Sequence, residues 1–368
     1  MFALVNEANK NVQFAVKTPT GLTKTAHIKN KIMQGDVLSP LLSSNMVDKN
    51  ICKMAIFTEN TYMYKNQVEI PPLLMQDDTL AVSDCGYKTI KMNSFLNTHT
   101  NLMGLQFGRD KCVKLHVGKT KQEDVCPDCK VDAWKDVLVR HEDGHESLSD
   151  KYLGKEVMKN VQNKKYLGCI ISNDMGNQSN IKEKTNRGVG IVNKIITTLY
   201  ERPYGKYTYK AAALMREGLL LASILNNSES WINITKQDIE KLGKPDKMLI
   251  KNILVTQGNP STVFMYLELG FLPVIYVIMK KRLNFLRYIL NEDMETMLRK
   301  VYEVIKTDSR KGDFVDLVQQ DLNDVGLEIS ENDIENTQKL LWKKIVNSKV
   351  KEAALLDLVA QNSEKSKN

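Results

Sequence analysis

Two adjacent aspartates, Asp77 and Asp78, have the spacing in this sequence that most directly suggests chemistry. They stand in LLMQDDTLAVS (residues 73–83), where apolar residues precede a polar stretch and an alternating run follows it. This pattern predicts a β-hairpin with both carboxylates at its tip. Neighbouring carboxylates repel each other, and a hard cation such as Mg²⁺ or Mn²⁺ relieves that repulsion. Two such ions can hold the reacting oxygens of a phosphoryl transfer, whereas the alternative for the same dipeptide is a solvated turn.

A second candidate site is a Cys/His cluster in which Cys126 and Cys129 are followed by His141 and His145. The spacing, C-x2-C-x11-H-x3-H, is one residue short of the usual zinc-finger linker. Trp134 does not stand where a finger has its core aromatic residue, and acidic residues surround both histidines. A zinc site and a polar loop with two free thiols therefore both stay open, and the pattern favours the loop.

Length and composition limit the class of protein. The chain has 368 residues, of which 42% are hydrophobic and 26% charged. It is therefore long enough to form two or three domains with buried cores, and it is not disordered as a whole. Six cysteines in a chain of this length do not make a disulfide scaffold. The N-terminus has no signal-peptide pattern, and no apolar run reaches the length of a membrane span. We therefore expect a soluble intracellular protein, with nucleus and cytoplasm both open.

Positive charge is concentrated in the middle of the sequence. The net charge is +8, but residues 180–290 contain 17 basic and 8 acidic side chains, whereas residues 291–368 contain 12 and 16. A concentrated basic region favours a polyanionic partner more than the total charge does.

Hydrophobic periodicity predicts an α+β chain. Short alternating runs up to residue 175, among them KYLGCIIS at 165–172, predict strands mixed with a few helices. From 181 to 290 the patterns are mainly helical, and further amphipathic helices are expected at 294–306 and 337–360.

Four landmarks in a fixed order resemble the reverse transcriptases of non-long-terminal-repeat retrotransposons. They are a Gln-Gly turn with a Ser-Pro-Leu-Leu helix start, the Asp-Asp hairpin, a Gly-Leu segment ending in lysine, and a Tyr-Leu-Gly strand. In this sequence the landmarks are Gln34, Gly35, Ser39, Pro40, Leu41 and Leu42; Asp77 and Asp78; Gly104, Leu105 and Lys111; and Tyr166, Leu167 and Gly168.

The resemblance implies an RNA-directed DNA polymerase that acts on an RNA template and a DNA primer. Asp77 and Asp78 would hold magnesium, and Lys111 would face the pyrophosphate leaving group. The turn formed by Gln34 and Gly35 would approach the nucleotide or template, and Tyr166, Leu167 and Gly168 would lie in the primer grip. The implied fold is a partial palm over 1–175, an antiparallel sheet with helices on one face, then a helical thumb-like region over 176–290 and a helical extension over 291–368.

In a thumb, basic helices follow the backbone of the template–primer duplex, although a solvated face is the alternative. The side chains that the resemblance assigns to backbone contact are Lys182, Lys184, Arg187, Lys194, Lys280, Lys281, Arg282 and Arg287.

This sequence departs from the family pattern at two points. Gln76 stands where the family usually has alanine, and the only acidic residue before Gln34 is Glu7, whereas the family has its first catalytic aspartate there. Because two-metal catalysis needs carboxylates from two strands, we expect the chain to be inactive. Three hypotheses follow: a polymerase, a non-catalytic remnant that binds nucleic acid weakly, and a nucleic-acid-binding module stabilised by zinc.

Overall fold

A computed structural model describes a mixed α+β protein. The described residues are 13–15, 17–19, 21–27, 61–75, 78–84, 88–89, 92–93, 95–96, 111–117, 159–200, 209–254 and 260–365. Within the described residues the strands lie before residue 175, as the sequence predicts, and the long helices lie after it. The α+β class is therefore confirmed.

The described strands are short and pair two by two. They are β1 (Gln13–Phe14), β2 (Lys17–Thr18), β3 (Gly21–Leu22), β4 (Ala26–His27), β5 (Tyr62–Tyr64), β6 (Val68–Ile70), β7 (Leu73–Met75), β8 (Asp78–Leu80), β9 (Val113–Lys114), β10 (Lys159–Asn160), β11 (Asn163–Tyr166) and β12 (Cys169–Ser172). The pairs β1–β4, β2–β3, β5–β6, β7–β8 and β11–β12 are antiparallel, and β9–β10 is parallel. Among the described strands these pairs do not join into the single sheet that a palm would have.

The helical part begins directly after β12. Its helices are α1 (Gln178–Tyr200), α2 (Tyr209–Met215), a π-helical turn (Arg216–Leu221), α3 (Ala222–Ile224), a 3-10 turn (Ser228–Ser230), α4 (Lys236–Ile253), α5 (Thr262–Leu269), α6 (Val274–Leu290), α7 (Met297–Thr307), α8 (Phe314–Asp324), α9 (Glu331–Asn336) and α10 (Lys339–Lys365). Side-chain caps start several of them: Thr235 forms a capping box with Asp238 on α4, and Asp313 and Ser330 cap α8 and α9.

Helix α6 belongs to two hydrophobic cores at once. Its first turns, with Val274 and Ile278, pack into a core formed with α1 to α4. A different face of the helix, with Tyr276, Leu283 and Leu286, packs into a second core formed with α7 to α10, where Trp342 is almost fully buried. The core thus continues across residue 290, because two faces of one helix bury apolar side chains against different partners.

A close crossing of α1 and α4 depends on a glycine, a proline and a threonine. A Cβ on Gly188 would lie 2.8 Å from Cγ of Pro245 and 2.9 Å from Cγ2 of Ile224, so the contact needs the missing side chain. Pro245 lies inside α4 and has no N–H to donate to the Lys241 carbonyl four residues earlier. The Thr185 hydroxyl of α1 donates to that carbonyl instead, at 3.4 Å. The contact between the two helices therefore gives the Lys241 carbonyl the hydrogen bond that the proline cannot donate.

A buried ion pair fixes the π-helical turn. Arg216 is fully buried and donates to both carboxylate oxygens of Asp246, from Nε at 2.7 Å and from Nη2 at 2.8 Å. Nη2 also donates to the Leu272 carbonyl, and the Tyr266 hydroxyl donates to Asp246 at 2.8 Å. Burial and the neighbouring Asp246 carboxylate raise the pKa of Tyr266 well above its usual value, so the phenol stays protonated. This network joins α4, α5 and the turn before α6.

Within the described part of the chain, no single helix has both the length and the apolarity of a membrane span. Helices α5 and α6 reach that length only as a pair, bent by 58° where they meet.

Candidate functional site

The predicted Asp-Asp hairpin is present. Strands β7 and β8 pair with Met75 opposite Asp78, so only residues 76 and 77 connect them. Asp78 is the first residue of β8 and is exposed to solvent. A two-residue connection places its carboxylate at the hairpin tip, where a cation can reach it. The prediction of a hairpin in this segment is confirmed, while Gln76 and Asp77 themselves lie outside the described residues.

The Tyr-Leu-Gly segment forms a hairpin as well, where the sequence predicts a single strand. Tyr166 ends β11, Leu167 and Gly168 form the turn, and Cys169 begins β12. Both turn residues have positive φ, 44° for Leu167 and 81° for Gly168, which is the pattern of a type I′ turn. Leucine seldom adopts this conformation, and Asn227 compensates by donating from Nδ2 to the Leu167 carbonyl at 3.2 Å.

The two hairpins contact each other through Tyr166. Its hydroxyl donates to the Leu73 carbonyl on β7 at 3.5 Å. Burial, and after it the Asp78 carboxylate, raise the pKa of Tyr166 above its usual value. The structure therefore brings the second and fourth of the sequence landmarks together.

Lys111 approaches the same strand. The Lys164 ammonium on β11 donates to the Lys111 carbonyl at 2.9 Å, and the Lys111 side chain is exposed. Strand β11 thus contacts Lys111 through one residue and the Asp78 hairpin through another. On the far side of β11, Lys165 forms an ion pair with Glu183 of α1 at 2.8 Å. β11 is the element around which the described landmark residues meet.

The basic residues of α1 divide into exposed and buried ones. Lys182, Arg187 and Lys194 are exposed, and Arg187 lies 3.7 Å from the Glu183 carboxylate. Lys184 is fully buried: its ammonium donates to the Asn226 carbonyl at 3.1 Å and lies 5.8 Å from the centre of the Trp231 ring. Burial lowers the pKa of Lys184. In this conformation Lys184 is enclosed by the protein, away from any phosphate at the surface.

Three of the four basic residues of α6 hold the fold together. Lys281 donates to the Leu225 carbonyl and to Glu229, at 2.5 and 2.8 Å. Arg282 is buried and forms an ion pair with Asp321 at 2.7 Å, and Arg287 donates twice to the Thr337 carbonyl, at 3.0 and 2.7 Å. The fourth, Lys280, is half-buried.

Other candidate residues lie outside the described residues: Gln34, Gly35, Asp77, Cys126, Cys129, His141 and His145. The described residues contain no group of three or more His, Cys, Asp or Glu side chains that could hold a metal ion.

The sequence did not reveal a basic cavity between α1 and α4. The cavity holds about 360 Å³, and Lys182 of α1 faces Lys241 and Lys244 of α4 across it. A possible sign was the lysine pair three residues apart on α4, which places both side chains on one face. The sequence did not indicate that this face of α4 lies next to α1, because the packing of the two helices depends on the contact between Gly188 and Pro245.

No family model matches this chain, and the comparisons with curated proteins and with solved structures give no match either.

Proposed function

We propose that this chain binds a template–primer duplex of RNA and DNA and carries part of a nucleotidyl-transfer site of the reverse-transcriptase type. In this proposal Asp77 and Asp78 bind Mg²⁺ or Mn²⁺, Lys111 faces the pyrophosphate, and the turn of Gln34 and Gly35 approaches the nucleotide. The observation that carries it is the meeting of the Asp78 hairpin, the Tyr166 hairpin and Lys111 around β11.

This arrangement supports the proposal for a geometric reason. Nucleotidyl transfer joins a primer hydroxyl to a phosphate held by metal ions, so the groups that position the primer must lie beside the carboxylates that hold the metal. In this protein the Tyr166 hydroxyl contacts the strand that leads to the Asp-Asp tip. A primer end guided by the β11–β12 turn would lie next to the Asp78 carboxylate.

The exposed face of α1 would follow the duplex backbone. Arg187 and Lys194 are seven residues apart, which is about two turns, so they lie on the same face about 10 Å apart along the axis. Both side chains are exposed, and the buried Val192 lies about 140–160° from them around the helix axis. The sequence suggested the same role for Lys184 and Arg282. Both are buried against internal partners, so in this proposal they stabilise the fold and do not contact the duplex.

The proposal is tested by the binding of a labelled RNA–DNA hybrid, followed by fluorescence anisotropy at several salt concentrations. Arg187→Gln/Lys194→Gln should weaken binding and reduce the slope of log K against log salt by about one for each lost phosphate contact. The control is Lys343→Gln/Lys344→Gln, which removes the same charge from exposed positions on α10. Equal loss in both variants, or no binding by the unmodified chain, would refute the proposal.

A further inference from the structure

The basic cavity between α1 and α4 lies on a different side of α1 from Arg187 and Lys194. Lys182 precedes Arg187 by five residues, which corresponds to a rotation of about 140° around the helix axis. Besides the three lysines, the cavity is lined only by side chains that can form hydrogen bonds: Gln178, Ser179, Thr185 and Asn186. The cavity therefore offers positive charge and hydrogen-bonding groups together with a larger share of apolar surface.

The charge in the cavity is not neutralised by its nearest carboxylate. Asp238 is buried and accepts from the backbone N–H and the hydroxyl of Thr235, at 3.1 and 2.7 Å, and from Nε2 of Gln178 at 3.3 Å. Lys241 donates to Gln178 at 3.2 Å and lies 4.0 Å from Asp238, so this carboxylate offsets one lysine in part. Lys182 and Lys244 are exposed and line the same space, where like charges repel unless an anion is present.

The walls of the cavity are fixed by the fold. Thr185 lines the cavity and also donates to the carbonyl of Lys241, which lines the opposite wall. The contact of Gly188 with Pro245 sets the separation of the two helices. The helix contact fixes the backbone of both walls, so binding does not first have to order the backbone, which favours affinity.

We infer that this cavity binds one unpaired nucleotide, with the phosphate between Lys182, Lys241 and Lys244 and the sugar or base against Ser179 and Asn186. A volume of about 360 Å³ exceeds what a lone phosphate needs and falls in the lower range of small-ligand pockets. A rigid duplex cannot enter such a space, whereas one unpaired nucleotide of a strand can. Insofar as that nucleotide belongs to a template–primer overhang, the inference rests on the proposed function.

The test compares ligands that differ in a single feature. A blunt RNA–DNA hybrid, the same hybrid with a short single-stranded overhang, and free uridine monophosphate are each titrated against the chain. The variant Lys241→Gln/Lys244→Gln, which leaves Lys182 in place, is compared with Lys343→Gln/Lys344→Gln, which removes two exposed lysines from the part after residue 290. Thermal unfolding of both variants checks that the fold is kept.

We expect the unmodified chain and the control to bind the overhang hybrid about tenfold more tightly than the blunt hybrid, since several charge-assisted bonds are added. The cavity variant should lose this preference and keep its affinity for the blunt hybrid. It should also lose binding of uridine monophosphate, which reports on the cavity without any duplex.

The outcomes separate the inference from the function. Equal affinity for blunt and overhang hybrids, or a preference that survives in the cavity variant, overturns the inference and leaves the proposed duplex binding intact. Binding of uridine monophosphate that depends on Lys241 and Lys244, without binding of any hybrid, supports the cavity as a nucleotide site and overturns the proposed function. Failure of all three ligands overturns both.

Discussion

The Tyr166 hydroxyl donates to the Leu73 carbonyl at 3.5 Å, and this bond joins two hairpins through residues that are 93 positions apart in the sequence. Nearby, the Asp78 carboxylate contributes to the raised pKa of Tyr166, after burial. The apposition of the two hairpins can therefore be measured in solution through the titration of one phenol.

Asp78→Asn should lower the pKa of Tyr166. The Asp78 charge disfavours the phenolate, so removing it brings the pKa back toward its usual value, while the part of the rise that burial causes remains. Tyrosine labelled with ¹³C at Cζ and followed by NMR over pH 8 to 12 gives this pKa, and Tyr166→Phe assigns the signal. A control variant, Asp174→Asn, changes an exposed carboxylate two residues beyond β12. An unchanged Tyr166 titration in Asp78→Asn would show that the hairpins are apart.

Gly188→Ala should destabilise the helical part, because the added Cβ would meet Pro245 and Ile224 at 2.8 to 2.9 Å. Overpacking of this kind costs about 1–3 kcal/mol, measured as the free energy of unfolding in urea. Gly190→Ala is the matched control in the same helix: its Cβ meets nothing within 4 Å. That variant should gain about 0.5–1 kcal/mol from helix propensity. Equal effects at the two positions would contradict the close crossing.

The stability of the second core should fall as pH rises from about 4 to 6. Burial raises the pKa of Asp321 to about 6, and the Arg282 charge offsets this only in part. Because the folded carboxyl then holds its proton above the usual pKa near 4, the native state binds more protons than the unfolded state in this window, and stability decreases with pH by about 3 kcal/mol.

Asp321→Asn tests this pH dependence. Asparagine is neutral like the protonated carboxyl, so the variant should match the stability of the unmodified chain near pH 4 and exceed it at pH 7, by up to about 3 kcal/mol. Its unfolding free energy should vary less between pH 4 and 6 than that of the unmodified chain. Parallel curves for the two proteins, from urea titrations at each pH, would show that Asp321 does not titrate in this range.

Primer extension tests the metal chemistry. We expect no template-directed extension by this chain with Mg²⁺ or Mn²⁺, because the reaction needs carboxylates from two strands and the Asp-Asp hairpin supplies one of them. Fusion to an upstream segment with an aromatic-x-Asp strand should allow extension if Gln76 is tolerated. Extension by the chain alone that disappears in Asp77→Ala would show that a second strand with a carboxylate is already present.

Three of the helices from residue 274 onward were readable from the sequence, and two were not. The periodicity predicted the run from Val274 to Leu290, which is α6, and the helices that became α7 and α10. It missed α8 and α9, which are 11 and 6 residues long and begin at the caps Asp313 and Ser330. Six residues contain fewer than two helical turns, so α9 does not stand out as a periodic pattern, whereas α8 is as long as α7 and its length does not explain the miss.

The positions of individual side chains depended on contacts that no local pattern contains. Leu167 is an unusual residue for a type I′ turn, and the turn is supported by Asn227, 60 residues later. Lys184 and Arg282 read as surface cations because their partners, Asn226 and Asp321, are distant in sequence. Charge and periodicity predict which helices are basic, but tertiary contacts decide which cations face the solvent.

The sharing of α6 between two cores has a consequence for synthesis on the ribosome. The face of α6 that carries Val274 and Ile278 finds its partners as soon as it emerges, because α1 to α4 have already been made. The face that carries Tyr276, Leu283 and Leu286 must wait with apolar side chains uncovered until α10 and its Trp342 have followed. During that interval the nascent chain exposes an apolar helical face. A chain released before α10 is made would keep this face exposed, where chaperones or other nascent chains can bind it.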